Sequence, residues 1–113
     1  MSQITTHILD TARGCPAAGV AITLYRAEGE DWETVGTGVT NEDGRLPGLC
    51  PEGESLAAGT YRMHFATRAY FEGRGESVFY PWADVVFNLD AGGEHYHIPL
   101  LLAPFGYSTY RGS

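Results

Sequence analysis

Short runs in which apolar and polar residues alternate, cut by glycine or a turn signal at intervals of roughly ten residues, restrict this chain more than any other feature. Alternation with a period of two marks a strand with one buried face, because successive side chains point to opposite sides. Residues 20–26 set Val20, Ile22 and Leu24 against Ala21, Thr23 and Tyr25. Residues 60–71 set Tyr61, Met63 and Phe65 against Arg62, His64 and Ala66. In residues 3–9, Ile4 and Ile8 share one face while His7 and Leu9 share the other. Residues 80–89 align Val85, Phe87 and Leu89, and residues 32–40 end in the turn Asn41-Glu42-Asp43-Gly44. Two more runs, 95–102 and 105–113, flank Ala103-Pro104. With a short strand near 45–49 the total is about eight, spaced as in a sandwich or barrel. No stretch carries an amphipathic helix of ten or more residues, although the polar stretch 71–77 has room for one helical turn. The expected fold class is all-β, in a single domain spanning residues 1–113.

A chain of 113 residues with 43% hydrophobic and 19% charged residues has the makings of a packed core. The net charge is −7, all seven cations are Arg, and no basic run occurs. That balance argues against nucleic acid and anionic membranes as partners. The lack of Lys excludes Schiff-base chemistry and a Lys general base. Cys15 and Cys50 lie in loop-like contexts without a CxxC partner and are expected to be free thiols. The N-terminus has neither the charged nor the apolar segment of a signal peptide, and no run approaches the ~20 apolar residues of a membrane span. A soluble cytoplasmic protein is the expectation.

One run breaks the alternation. Ile98-Pro99-Leu100-Leu101-Leu102 is apolar on both faces, where a two-layer sandwich leaves one face wet. Its outer side packs on loops or meets another subunit, and the subunit contact is the expected solution.

Groups able to do chemistry are few. Of the four histidines, His7 lies opposite Ile4 and Ile8, His95 and His97 share a face opposite Ile98, and nothing lifts His64 above an ordinary surface residue. His-x-His can hold zinc, but no HExxH, Cys ligand or suitably spaced carboxylate accompanies it, so no metal is expected. A serine nucleophile elbow is absent, and neither cysteine has an activating context. Arg45 follows Asp43-Gly44 at a strand end. The terminal Tyr110-Arg111-Gly112-Ser113 carries aromatic, cationic and hydroxyl groups to the last residue, as though the end were held in place.

The blocks His7-Ile-Leu-Asp-Thr-Ala-Arg-Gly-Cys-Pro-Ala17, Thr40-Asn-Glu-Asp-Gly-Arg45 and residues 95–113 together resemble the transthyretin-like family, in the family's order and over essentially the whole chain. The terminal Tyr-Arg-Gly-Ser is the most specific of these, and with His7 and His97 it resembles the family's hydrolase branch rather than its hormone carrier. The resemblance implies a sandwich of two four-stranded sheets with at most one short helix. It further implies a homotetramer (a dimer of dimers) with active sites at the dimer–dimer interface, and no cofactor. The implied reaction opens the ring of 5-hydroxyisourate in urate breakdown, giving 2-oxo-4-hydroxy-4-carboxy-5-ureidoimidazoline. The residues carried over by the resemblance are His7, Arg45, His97 and Ser113 as catalytic groups, with Tyr110 lining the pocket; His7, Arg45, Tyr110 and Arg111 are the candidate substrate contacts, with Arg111 left open between holding the terminus and reaching substrate.

Hydrolysis of a ring amide needs an activated water, a cradle for the oxyanion and a proton for the departing nitrogen. Histidine suits both proton transfers, with His97 and His7 left open as to which is the base. Arg45 would pair with substrate oxygens and the developing oxyanion. Ser113 joins a hydroxyl to the α-carboxylate, to orient water or substrate. Two other readings stay open: a transthyretin-like carrier of a small ligand, and an immunoglobulin-like structural domain.

Overall fold

The computed structural model describes residues 3–50 and 55–112. Its elements in chain order are β1 (Ile4–Asp10), β2 (Cys15–Pro16), β3 (Ala21–Glu28), β4 (Asp31–Val39), β5 (Arg45–Leu46), β6 (Gly59–Phe65), α1 (Thr67–Glu72), β7 (Ala83–Leu89), β8 (Tyr96–Ala103) and β9 (Gly106–Thr109). They form two sheets. One has the order β4-β3-β6-β7, and the other runs β2-β1-β8-β9 with the two-residue β5 pairing to β1. The expected sandwich of two four-stranded sheets is therefore present, with one short helix and the small β5 added at the side of β1.

Alternation places the core where the sequence pattern points. Ile22 and Leu24 of β3, Met63 and Phe65 of β6, Val85 and Leu89 of β7, and Ile4 and Ile8 of β1 all face inward and are buried. From β8 the inward residues Ile98, Leu100 and Leu102 complete the other wall. Such burial is the main source of stability, at about 1.5–3 kcal/mol for each large aliphatic or aromatic side chain. On the outer side of β8, Pro99 is also buried within the chain and Leu101 is half-buried, so part of the doubly apolar run is already covered within one subunit.

Several boundaries differ from the sequence reading: the run at 80–89 is a strand only over Ala83–Leu89, and the run at 105–113 only over Gly106–Thr109. The strand expected to reach Phe71 ends at Phe65, and the helix begins at Thr67 rather than after Phe71. Thr67, Tyr70 and Phe71 are buried from that helix, at a spacing that gathers them on one helical face. A six-residue helix is too short to show a period against the strand alternation before it. Cys15, expected in a loop, forms a two-residue ladder with Asp10. Both cysteines are free thiols, Cys15 exposed and Cys50 buried. No helix among the described residues is long and apolar enough to cross a membrane.

The helix is tied to β1 by a buried polar contact. Tyr70 Oη donates to Asp10 Oδ2 at 2.7 Å, while Arg13 N donates to Asp10 Oδ1 at 3.0 Å. Burial and the hydrogen bond to Asp10 push the Tyr70 hydroxyl up to about 12, so it remains a donor at any physiological pH. Tyr70→Phe leaves one oxygen of the buried Asp10 carboxylate without this donor. The expected loss is about 1–3 kcal/mol, read from the urea unfolding midpoint, with the strand ladders intact by circular dichroism.

Candidate active site

The parallel ladder between β1 and β8 brings the two ends of the chain together. It sets Thr5 opposite His97 and His7 opposite Pro99, so residues far apart in sequence occupy neighbouring places on one sheet. In β1 the residues Ile4, Thr6, Ile8 and Asp10 are buried, which turns Thr5, His7 and Leu9 to the outer face. Thr5 Oγ1 lies 2.9 Å from His97 Nδ1 and 2.9 Å from His95 Nε2. The two imidazoles are near-parallel, with centroids 6.4 Å apart.

Arg45 reaches the other side of β1 through the turn at 41–44. Asn41 Oδ1 accepts from Asp43 N at 2.9 Å and from Arg45 N at 3.1 Å, closing the turn with its own side chain. Gly44 has φ +73°, and a Cβ there would stand 2.4 Å from the Ile8 carbonyl oxygen. Only glycine fits both demands, and its carbonyl then accepts from Ile8 N at 2.8 Å. That docking pairs Arg45 with His7 in an antiparallel bridge. Among the described residues Arg45 makes no ion pair, which leaves its guanidinium available to a ligand.

A cleft of about 320 Å³ opens between these groups. It is lined by Thr5 and Thr6 of β1, by Arg45, Leu46 and Pro47, and by His95 and His97. Burial pushes the His97 imidazole below its ordinary value, and the positive charge of Arg45 lowers it further, with His95 and His7 adding to the effect. His97 is thus neutral at neutral pH, with a ring nitrogen able to accept a proton. His7 is not among the lining residues, but it shares the outer face and is one of the groups that lower the His97 imidazole.

The chain end packs on the same strand. Gly112 bridges His97, its N–H donating to the His97 carbonyl at 2.8 Å. A Cβ on Gly112 would stand 2.7 Å from His97 Cδ2, so this glycine lets the tail lie directly against the imidazole. Arg111 turns elsewhere: its guanidinium sits 4.4 Å from the Tyr96 ring centroid and 3.6 Å from the Glu94 carboxylate. Tyr110 is 59% exposed and lines a separate hollow with Thr109 and Arg111. Ser113 lies outside the described residues. His64 sits on the other sheet, bonded through Nδ1 to Asp84 at 2.7 Å, remote from this cleft.

Of the residues singled out from the sequence, Arg45 and His97 line the cleft and His7 adjoins them, while Arg111 and Tyr110 stand apart from it. Thr5 and His95 belong to the cleft but were not among the expected site residues. The period-two pattern did place Thr5, His7, His95 and His97 on outer faces, but their juxtaposition depends on a parallel pairing that no local pattern encodes. Among the described residues no three His, Cys, Asp or Glu side chains form a metal-binding group.

The fold and cleft define a class: a transthyretin-type sandwich bearing a histidine–arginine site on the outer face of one sheet. The chain belongs to the HIUase/Transthyretin family, whose profile matches residues 4–112. It is 45% identical to the 5-hydroxyisourate hydrolase of Mus musculus, covering 99% of this chain and 96% of the mouse protein. Identity to the 5-hydroxyisourate hydrolase of Pseudomonas aeruginosa is 42%, over 100% of this chain and 93% of that protein. The structure of Klebsiella pneumoniae 5-hydroxyisourate hydrolase superposes with a TM-score of 0.85 at 41% identity, covering 99% of this chain and 100% of that one. Transthyretin from Sparus aurata superposes with a TM-score of 0.91 at 35% identity, over 99% and 97% of the two chains.

The cause assigned to the His97 shift is testable by NMR. Its ring protons should titrate with a midpoint below about 6.5, and Arg45→Gln should move that midpoint upward; an unmoved midpoint would remove Arg45 as a cause. The lowered value also ties stability to pH. The unfolded chain protonates this imidazole more readily, so its effect on stability is nil well above about 6.5 and grows unfavourable as the pH falls from there to the lowered value.

Proposed function

We propose that residues 1–113 act as a single hydrolase domain that opens the ring of 5-hydroxyisourate in urate degradation. The observation that carries the reading is a half-buried imidazole, that of His97, sharing one cleft with the Arg45 guanidinium, which makes no ion pair among the described residues. Full-length identity to enzymes named for this hydrolysis supports it. His97 takes a proton from water as the oxygen attacks the ring carbonyl carbon. Arg45 binds the carbonyl oxygen and holds the oxyanion that forms, where a fixed cation in a restricted cleft acts most strongly. The carbon–nitrogen bond then breaks, the nitrogen leaves with a proton, and the carboxylate that results remains paired with Arg45. His7, on the same face and bridged to Arg45, is the second imidazole of the site and orients substrate.

The chain end completes the cleft. Ser113 follows Gly112, which lies against the His97 ring, and in this reading its hydroxyl orients water or substrate while the α-carboxylate pairs with a neighbouring cation. Arg111 contributes by holding the tail on Tyr96 and Glu94, and exposed Tyr110 forms a wall towards a neighbouring subunit. The assembly is a homotetramer, a dimer of dimers, that works in the cytoplasm without a cofactor. Half-buried Leu101 on the outer face of β8 is consistent with a subunit contact.

Freshly generated 5-hydroxyisourate, followed by ultraviolet absorbance, provides the test. The wild type should accelerate decay well beyond the spontaneous rate. Arg45→Ala should lower kcat/KM by about 10²–10³, and His97→Ala by a factor in the ~10²–10⁴ range of general acid–base catalysis. A small-ligand carrier of the transthyretin kind would leave the spontaneous rate unchanged. Extending the chain beyond Ser113 with a tag should cut turnover while gel filtration still gives a tetramer, and full activity of the tagged protein would remove the chain end from the mechanism.

A further inference from the structure

We propose that Thr5 is a positioning residue of the cleft, whose single hydroxyl proton links His97 to His95 so that a proton taken up by His97 is lodged on His95 while the tetrahedral adduct lives. The inference rests on the hydrolase reading and deepens it. Its basis is geometric: Thr5 Oγ1 stands 2.9 Å from His97 Nδ1 and 2.9 Å from His95 Nε2.

A hydroxyl has one proton to donate. Bridging two ring nitrogens, it donates to one and accepts from the other, so one of the facing nitrogens carries a proton and the other does not. Two arrangements satisfy this. In the first, His97 Nδ1–H donates to Thr5, Thr5 O–H donates to His95 Nε2, and the proton of His95 is on Nδ1. His97 Nε2 is then an unshared pair, as a general base requires. In the second, both bonds are reversed and His97 Nε2 carries the proton, as a general acid requires. Moving from the first to the second takes one proton up at His97 Nε2 and passes two along the existing hydrogen bonds, which leaves His95 an imidazolium until its extra proton departs.

The reaction uses both. Water loses a proton to His97 Nε2 as its oxygen bonds to the carbonyl carbon. The Nδ1 proton of His97 passes to Thr5 Oγ1, and the Thr5 proton passes to His95 Nε2. His97 is again neutral, now with Nε2–H, and His95 is an imidazolium. When the carbon–nitrogen bond breaks, Nε2–H goes to the departing nitrogen. The relay runs back from His95 through Thr5 to His97 Nδ1, restoring the first arrangement. The net change is one water proton moved to nitrogen, and the product carboxylic acid releases the other to solvent.

The surroundings favour charge on His95. The titratable and charged groups that face His97 among the described residues are His7 from β1, Arg45 from β5 and His95 just before β8. On the remaining side Gly112 lies against the ring and carries no charge, since Arg111 is turned to Tyr96 and Glu94. An imidazolium at position 97 would be half-buried beside the Arg45 cation, whereas His95 is exposed to water. Among the described residues, both the Arg45 charge and solvation therefore pull the charge outward.

Three variants and two measurements test this. Thr5→Val keeps the shape and removes the bridge. Thr5→Ser keeps the hydroxyl. His95→Phe removes the far acceptor at an exposed position. Turnover of 5-hydroxyisourate is measured across pH, and nitrogen-15 NMR of the substrate-free protein reads which nitrogen of His97 carries the proton. The expected results are a fall in kcat of about 10²-fold for Thr5→Val and for His95→Phe with KM nearly unchanged, and most of kcat restored in Thr5→Ser. The wild type should show His97 protonated on Nδ1, and Thr5→Val should show a mixture of the two neutral forms. Wild-type kcat in Thr5→Val, or an unaltered His97 tautomer, overturns the proposal; so does full kcat in His95→Phe, which also decides the matter if Thr5→Val fails to fold. Should the wild type not accelerate ring opening, the hydrolase reading fails, while the tautomer measurement still decides whether Thr5 governs His97.

Discussion

The parallel ladder between β1 and β8 is the interaction on which the rest of the molecule depends. It aligns residues 4–10 with residues 96–102 one for one, and the ladder serves two purposes. Inward members such as Ile4, Ile8, Ile98 and Leu100 supply core burial, while outward members supply the cleft. Because side-chain direction alternates with a period of two, a slip of one residue would send His97 into the core and Ile98 into water. Burying apolar side chains on one face therefore holds the register of the polar groups on the other. The precision of the site comes from the core.

Electrostatics within the cleft run against the character of the whole protein. The chain carries a net charge of −7, yet its cleft gathers an arginine with no ion pair among the described residues and two histidines, with a third beside them. Burial and proximity to Arg45 both disfavour the charged form of His97, which limits repulsion within the cleft. The same crowding that disfavours imidazolium preserves a base. A local positive field within an acidic surface also favours the oxygen-rich, anion-forming side of a substrate over other approaches.

Two close approaches give the cleft its shape. Gly44 allows a left-handed turn to sit on the Ile8 carbonyl and so delivers Arg45 beside His7. Gly112 allows the tail to lie on the His97 ring. At both places a methyl group would collide with its neighbour, and each collision would be transmitted to a functional side chain. The buried Asp10–Tyr70 hydrogen bond plays a related part at the far end of β1, securing that strand to the helix.

Much was legible from residues in order. Alternation located the long strands and their buried faces, the turn signal at 41–44 placed Arg45 at a strand end, and the charge balance argued against nucleic acid and anionic membranes. Local pattern misjudged short features, namely the helix at 67–72, whose six residues cannot display a period, and the two-residue ladder at Cys15, and it set some strand ends too wide, as at 80–82 and beyond Thr109. The resemblance of three sequence blocks supplied His7, Arg45 and His97 together, which spacing alone could not. Tertiary structure decided what the one-dimensional pattern leaves open: that the first and eighth strands pair in parallel, that Thr5 stands between two imidazoles, and that Arg111 turns to Tyr96 rather than to the cleft. The physical reason is that alternation specifies which way a side chain faces, whereas its neighbour across the sheet is chosen by the packing of the whole core.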